Sequence, residues 1–95
     1  EMEEQRIAID SVYKQFAIAM AQFDEELAIE SVKALGESYK NMFRVENPRA
    51  LLLEVAKDYL NHSQMEEPTD KQYGKGVTKY IGSAIYRYYG VENLE

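Results

Sequence analysis

The sequence predicts an all-α domain, and three patterns carry that prediction. Apolar residues recur at steps of three and four along four separate stretches, as they do on the inward face of a helix. These stretches are separated by residues that begin or end helices, among them Asn47-Pro48 and Gly90. The chain has only two prolines and five glycines, which is few for a β protein with many turns. We therefore expect four main helices and no β-sheet.

The first two helices are expected over residues 3–23 and 25–43. Asp24 is placed to cap the second helix, because its carboxylate can accept a hydrogen bond from a free N–H of the first turn. Gly36 lies in the middle of that helix, where glycine costs about 1 kcal/mol relative to alanine. Close packing of another helix explains this glycine better than room for a ligand does. The inward positions of the first helix are Ile9, Val12, Tyr13, Phe16, Met20 and Phe23.

The third and fourth helices are expected over residues 48–60 and 76–89. Asn47 is a capping residue, and Pro48 suits the first helical position. Gly90 is expected to end the last helix in a left-handed conformation. The stretch from residue 61 to residue 75 is expected to be a long loop with at most one helical turn, in which Met65 points inward. Loops of that length often act as lids or binding loops.

Length, charge and composition restrict the class of protein. Ninety-five residues fit a single domain, here the whole range 1–95. The net charge of −6, with scattered lysines and arginines, argues against a nucleic-acid-binding surface on this chain. No apolar run approaches the ~20 residues of a membrane span, so we expect no membrane partner. The lack of cysteine is compatible with the cytoplasm, where we expect the protein. The opening Glu1 and the closing Leu94-Glu95, which resembles a vector remnant, lead us to expect a fragment of a longer protein.

The sequence offers little for catalysis. There is no cysteine, which removes disulfides, thiolate metal sites and cysteine nucleophiles. His62 is the only histidine, and its place after a helix C-terminus favours a structural role. Asp58 lies four residues before it, but no third metal ligand follows at helical spacing. The serines have neither a suitably spaced base nor a glycine elbow. We therefore expect no enzymatic activity, no metal and no cofactor.

The eight tyrosines are the unusual feature of the composition, since the chain has no tryptophan and only three phenylalanines. A tyrosine combines an apolar ring with a hydrogen-bonding tip, which suits the wall of a cleft for a large, partly polar ligand. Tyr13, Tyr86 and Tyr89 are expected at helix margins, half-buried with their hydroxyls in water. Core packing explains the remaining candidates as well as ligand contact does. The ligand-contact candidates are Tyr39, Met42, Phe43, Tyr59, Met65, Tyr73 and Tyr80.

The stretch from Tyr59 to Tyr89 resembles the C-terminal part of the TipAS drug-binding domain, the effector half of some MerR-family transcription regulators. The resemblance covers about a third of the chain. It rests on an aromatic-asparagine helix end, a following bulky apolar residue, an Asp-Lys pair, a glycine-rich turn and a closing helix with an Ala-Ile pair. In this sequence these are Tyr59 to Asn61, Met65, Asp70-Lys71, Tyr73 to Gly76, and Ala84-Ile85.

This resemblance implies a globin-like helical fold and a cleft that takes bulky hydrophobic antibiotics such as thiopeptides. It also implies a homodimeric full-length regulator whose DNA-binding part lies outside this chain. Members that trap thiopeptides covalently use a cysteine, so binding here would be non-covalent. The family's aromatic and histidine residues on the helix matching residues 27–43 are not found, which leaves the ligand's identity open. We expect the cleft between the second, third and fourth helices, beneath residues 61–75.

Two other hypotheses remain open on the sequence. The chain could be a helical interaction or dimerisation module whose exposed tyrosines meet a partner protein. It could also be a stand-alone protein that sequesters drugs without regulating transcription.

Overall fold

The computed structural model describes residues 2–61 and 63–90, and the side chains of residues 3–61 and 68–90. In this part of the chain the helices are α1 (Met2–Gln22), α2 (Glu25–Phe43), α3 (Arg49–Asn61), α4 (Ser63–Tyr73) and α5 (Val77–Tyr89). No strand occurs among the described residues. The predicted all-α class is therefore confirmed, whereas a globin-like or TipAS-like arrangement stays a prediction.

The prediction of a long loop before the last helix is wrong, because residues 63–73 form α4. Pro68 favours a break in a helix, because proline lacks the N–H that bonds within a helix interior. In the structure it nevertheless lies in the middle of α4. Contacts beyond the proline hold the helix. The Gly74 N–H donates to the Asp70 carbonyl at 2.7 Å, and the Tyr73 ring packs on Tyr13 of α1. The side chain of Met65 lies outside the described residues.

The turn between α1 and α2 comes one residue earlier than expected. Phe23 has a left-handed backbone with φ 55°, which ends α1 at Gln22. Its side chain therefore leaves the inward stripe and is 91% exposed, so the predicted burial of Phe23 is wrong. The predicted cap is confirmed, because the Asp24 carboxylate accepts a hydrogen bond from the Leu27 N–H at 3.0 Å.

The connection from α2 to α3 follows the predicted signals. Arg44 adopts a left-handed conformation with φ 56° and ends α2. The Asn47 side chain accepts a hydrogen bond from the Arg49 N–H at 3.0 Å, as a capping residue does. Helix α3 begins at Arg49, directly after Pro48, one residue later than predicted.

Two glycines allow helices to approach α3 closely. A Cβ on Gly36 of α2 would lie 3.3 Å from the Pro48 side chain, so the prediction that this glycine serves packing is confirmed. A Cβ on Gly82 of α5 would lie only 2.8 Å from Leu60 and 3.2 Å from the Ala56 carbonyl oxygen. Helix α5 therefore needs glycine at this crossing. The predicted left-handed Gly90 is also confirmed, with φ 68°.

The core lies where α1, α2, α3 and α5 meet. Its buried apolar side chains are Val12, Tyr13, Phe16, Ala19, Ala28, Val32, Leu35, Leu52, Ala56, Tyr59, Val77, Ile81, Ala84 and Ile85. The described side chains of α4 contribute none of these, so α4 covers the core from one side. None of the helices in the described part of the chain combines the length and apolar character that crossing a bilayer requires.

Candidate functional site

Two tyrosine hydroxyls meet inside the protein. Tyr13 of α1 and Tyr59 of α3 are both buried, and their phenolic oxygens lie 2.6 Å apart. The rings meet edge to face with centroids 6.5 Å apart, an arrangement that ring quadrupoles favour. Burial raises the pKa of Tyr13 strongly, and the neighbouring Tyr59 adds to the effect. The Tyr13 hydroxyl therefore stays protonated at physiological pH. The expectation that it lies in water at a helix margin is wrong, because α3 covers it.

Two further tyrosines surround this pair. The Tyr73 ring of α4 lies 5.4 Å from the Tyr13 ring, centroid to centroid. Tyr39 of α2 is partly buried, and burial followed by the proximity of Tyr59 raises its pKa. We call Tyr13, Tyr39, Tyr59 and Tyr73 the tyrosine cluster. It joins four helices around one set of phenol groups.

The edge of the tyrosine cluster carries a charged hydrogen bond. The Tyr73 hydroxyl donates to one carboxylate oxygen of Asp10 at 2.5 Å, and Lys14 lies 3.3 Å from the other oxygen. The bond from Tyr73, followed by that from Lys14, lowers the pKa of Asp10. Burial and the bond to Asp10 raise the pKa of Tyr73 to about 12. At neutral pH the pair is therefore a neutral phenol that donates to an ionised carboxylate.

A cleft of about 490 Å³ opens beside this hydrogen bond, between α1 and α4. Its walls combine two isoleucines with an arginine, an aspartate, a glutamine and a tyrosine. A cleft of this size lies within the range of about 300–1,000 Å³ typical of small-molecule sites. The described lining residues are Arg6, Ile7, Ile9, Asp10, Gln72 and Tyr73.

Asp70 fixes the end of α4 that carries Tyr73. Its carboxylate accepts hydrogen bonds from the Gly76 N–H and the Thr78 N–H, both at 2.9 Å, and from the Thr78 hydroxyl at 2.8 Å. Burial alone would raise the pKa of Asp70, but these bonds outweigh it and lower the pKa. Gly76 has φ 91° and no side chain to cap α5, so Asp70 supplies the cap from α4. An aspartate shortly before a glycine-capped helix is the sequence signal for this role, and sequence reasoning missed it.

The structure brings together three of the seven predicted ligand-contact residues. Tyr39, Tyr59 and Tyr73 belong to the tyrosine cluster, although Tyr59 is buried within it. Phe43 ends α2 with 53% of its surface exposed, and its ring lies 5.6 Å from Tyr39. Met42 precedes it and is partly buried. Among those of the seven whose side chains the structure describes, Tyr73 alone lines the cleft between α1 and α4.

Tyr80 lies apart from the tyrosine cluster. Burial raises the pKa of Tyr80, and the charges that act on it next are those of Arg87 in α5 and of Glu25 and Asp24 at the N-terminal end of α2. A rise of ~1.5 Å per residue puts Tyr39 about 20 Å further along that helix. Tyr39 and Tyr80 both pack against the core, but they lie near opposite ends of α2.

A smaller groove of about 360 Å³ lies between the second, third and last helices, but none of its described lining residues belongs to residues 61–75, beneath which the cleft was predicted. Val32, Gly36 and Lys40 of α2, Pro48 before α3, and Tyr88 of α5 line this groove. None of the seven predicted residues is among its described lining residues.

The described residues hold no group of three or more His, Cys, Asp or Glu side chains arranged for a metal ion. His62 lies outside them. No family model matches the chain, and neither curated proteins nor solved structures match it. The resemblance to TipAS domains, the absence of catalysis and the identity of any ligand all stay predictions.

Proposed function

We propose that this chain is a ligand-binding effector domain of a MerR-family transcription regulator, which binds a bulky hydrophobic antibiotic without a covalent bond. The observation that supports the proposal is the cleft between α1 and α4. Its wall contains Tyr73, from the stretch that resembles TipAS domains, together with two isoleucines and a charged hydrogen bond. The two isoleucines and the Tyr73 ring offer apolar contacts, and the arginine, aspartate and glutamine offer polar ones, a mixture that suits a large, partly polar ligand.

The role of the TipAS-like stretch in this proposal is to position α4. Asp70 and the glycine turn anchor the C-terminal end of α4 to α5, and the Tyr73 hydroxyl links it to Asp10 of α1. These polar bonds and the packing of the Tyr73 ring on Tyr13 hold the described end of α4 against α5 and α1. A ligand in the cleft would add apolar contacts between α1 and α4. We therefore expect binding to stabilise α4 against α1.

The cleft offers a matched pair of variants for the test. Ile7 lines the cleft and is 59% exposed, whereas Ile18 lies on the same helix, is 48% exposed and is not among the cleft's lining residues. Ile7→Glu places a carboxylate that ligand binding would desolvate, so affinity should fall about tenfold, equivalent to ~1.4 kcal/mol. Ile18→Glu should leave the affinity unchanged.

A thiopeptide titrated into the protein while amide chemical shifts are recorded gives the measurement. Residues 6–10 and 72–73 should shift together. At a concentration a hundred times the dissociation constant, the ligand should raise the free energy of unfolding by ~2.7 kcal/mol. Shifts confined to other surfaces, or equal losses in the Ile7 and Ile18 variants, would show that this cleft is not the antibiotic site.

An interaction module is the second candidate, and exposed apolar side chains favour it. Phe23 is 91% exposed at the turn between α1 and α2, and Ile18 of α1 is 48% exposed. Single exposed apolar residues are common, but several close together can mark a contact surface. Concentration-dependent sedimentation that Phe23→Ser abolishes would favour this function.

A further inference from the structure

Asp10 supplies the one carboxylate among the described lining residues of the cleft between α1 and α4. The Tyr73 hydroxyl donates to one of its oxygens at 2.5 Å and so fixes the group between the two helices. The Lys14 ammonium lies 3.3 Å from the other oxygen. Because a carboxylate has about four lone-pair sites, it can accept a hydrogen bond from a further donor. A molecule in the cleft can therefore bind Asp10 while the bond to Tyr73 stays in place.

The lysine that pairs with Asp10 is not part of the described wall of the cleft. The Lys14 side chain is 67% exposed, whereas the Asp10 side chain is 38% exposed. An ion pair with so exposed a lysine gains little, because water screens it and ordering a long side chain costs entropy. A second cation can therefore replace Lys14 as the partner of Asp10, whereas the carboxylate stays where Tyr73 holds it.

Arg6 is the cation in the described wall, and it has a partner of its own. Its guanidinium lies 3.1 Å from the Glu3 carboxylate, and the two side chains are 78% and 65% exposed. The bond from Tyr73 does most to lower the pKa of Asp10, and Lys14 and then Arg6 add charge effects. Two carboxylates and two cations therefore balance at the cleft. Asp10 differs from the other three charges in being held in position by a hydrogen bond from α4.

The wall beside Asp10 is apolar. Ile9 precedes Asp10 and Ile7 lies three residues before it, and both isoleucines line the cleft together with the Tyr73 ring. Ile7 is 59% exposed, so an apolar group that covers it removes apolar surface from water. A molecule with an apolar skeleton and one hydrogen-bond-donating cation would meet both kinds of surface at once.

We propose that the ligand of this cleft is a hydrophobic amine, whose ammonium group donates to the Asp10 carboxylate while its apolar skeleton packs on Ile7 and Ile9. This ligand class rests on the proposed function, because it takes the same cleft as the binding site, and it adds the charge of the ligand. The ammonium replaces Lys14, so Asp10 keeps a cationic partner throughout. An anionic ligand would meet Arg6, but Asp10 would repel it. The net charge of −6 also favours the approach of a cation.

The test uses three probes that share a ring system and differ in charge: naphthylmethylamine, naphthylmethanol and naphthoate. Amide chemical shifts of the intact 95-residue chain, recorded during each titration at pH 7, give the dissociation constants. The amine should shift residues 6–10 and 72–73. It should bind about threefold more tightly than the alcohol, which is the size of effect that an ion pair at a protein surface supports. Naphthoate should bind most weakly.

Two charge-matched pairs of variants locate the ammonium group. Asp10→Asn keeps an oxygen that can accept from Tyr73 but removes the charge, so the amine should bind no better than the alcohol. Glu4→Gln makes the same charge change at an exposed position of α1 outside the described wall and should preserve the preference.

The second pair changes the competing cation. Lys14→Gln removes the present partner of Asp10, so the affinity for the amine should rise about threefold while that for the alcohol stays constant. Lys33→Gln makes the same charge change at an exposed position of α2 and should leave both affinities unchanged. Damage to the packing of α4 would weaken both probes alike and could not produce this selective gain.

Three results would overturn the proposal. The first is an amine that leaves residues 6–10 and 72–73 unshifted, or that binds no more tightly than the alcohol or naphthoate. The second is a preference for the amine that survives Asp10→Asn. The third is an equal gain in the Lys14 and Lys33 variants, which would show that net charge and not Asp10 governs binding.

The thiopeptide titration separates this proposal from the proposed function. If the thiopeptide shifts the cleft residues and the amine shows no preference over the alcohol, the antibiotic site stands and the amine assignment is wrong. If the amine gives the expected shifts and preference and the thiopeptide gives none, the amine assignment stands and the thiopeptide is not the ligand.

Discussion

The bond between the Tyr13 and Tyr59 hydroxyls allows a quantitative test of the tyrosine cluster. Tyr59→Phe keeps the ring but removes one partner of a 2.6 Å hydrogen bond. Tyr13 is only 8% exposed, so water does not readily replace the lost partner. A buried polar group left unpaired costs about 1–3 kcal/mol. Each single change to phenylalanine should therefore destabilise the protein by about that amount.

The double variant distinguishes this bond from packing. Replacing both tyrosines with phenylalanine removes donor and acceptor together, which can be nearly neutral. We therefore expect a total cost of about 0–1 kcal/mol instead of the ~2–6 kcal/mol that two independent losses would give. The coupling energy between the two sites should exceed ~1 kcal/mol. Because burial keeps Tyr13 protonated, the coupling should not change between about pH 6 and pH 8.

Urea unfolding followed by circular dichroism gives the four free energies. The midpoints should move while the slope stays constant, and each 1 kcal/mol should change the melting temperature by about 4–8 °C. Tyr88→Phe is the control, because Tyr88 is 37% exposed, and its effect should stay within about 0.5 kcal/mol. Additive costs in the double variant would refute the buried hydroxyl pair.

Two further predictions concern the anchoring of α5. Gly82→Ala should destabilise the protein by about 1–3 kcal/mol despite alanine's higher helix propensity, because its Cβ would lie 2.8 Å from Leu60. Thermal unfolding measures this cost, with Ser83→Ala as the control. A Gly82→Ala variant more stable than the wild type would contradict the prediction. The folded-state pKa of Asp70 is lowered from 3.8, so its contribution is present above the unfolded pKa and is lost as pH falls through the folded pKa. Asp70→Asn should therefore reduce stability at pH 7 and make the decline in stability below about pH 4 less steep, whereas Glu54→Gln, at an exposed position of α3, should do neither. Equal declines for Asp70→Asn and the wild type below about pH 4 would contradict this linkage.

The sequence predicted the features that depend on residues close together in the chain. The apolar steps placed α1, α2, α3 and α5 to within one or two residues, because a helix reports its inward face at a fixed period. Asp24 and Asn47 were readable as caps for the same reason, since a cap bonds N–H groups two or three residues away. Composition likewise indicated an all-α chain.

The tertiary structure decided which residues distant in the chain contact each other. Tyr13 and Tyr59 are separated by 46 positions, and Asp10 and Tyr73 by 63, so no local pattern pairs them. Helix α4 continues through Pro68 because contacts with α1 and α5 outweigh a local cost. Periodicity tells which side of a helix faces inward, but packing alone decides which side chain it meets there. The cleft between α1 and α4 is formed by such contacts between distant residues, so the sequence pattern alone could not locate it.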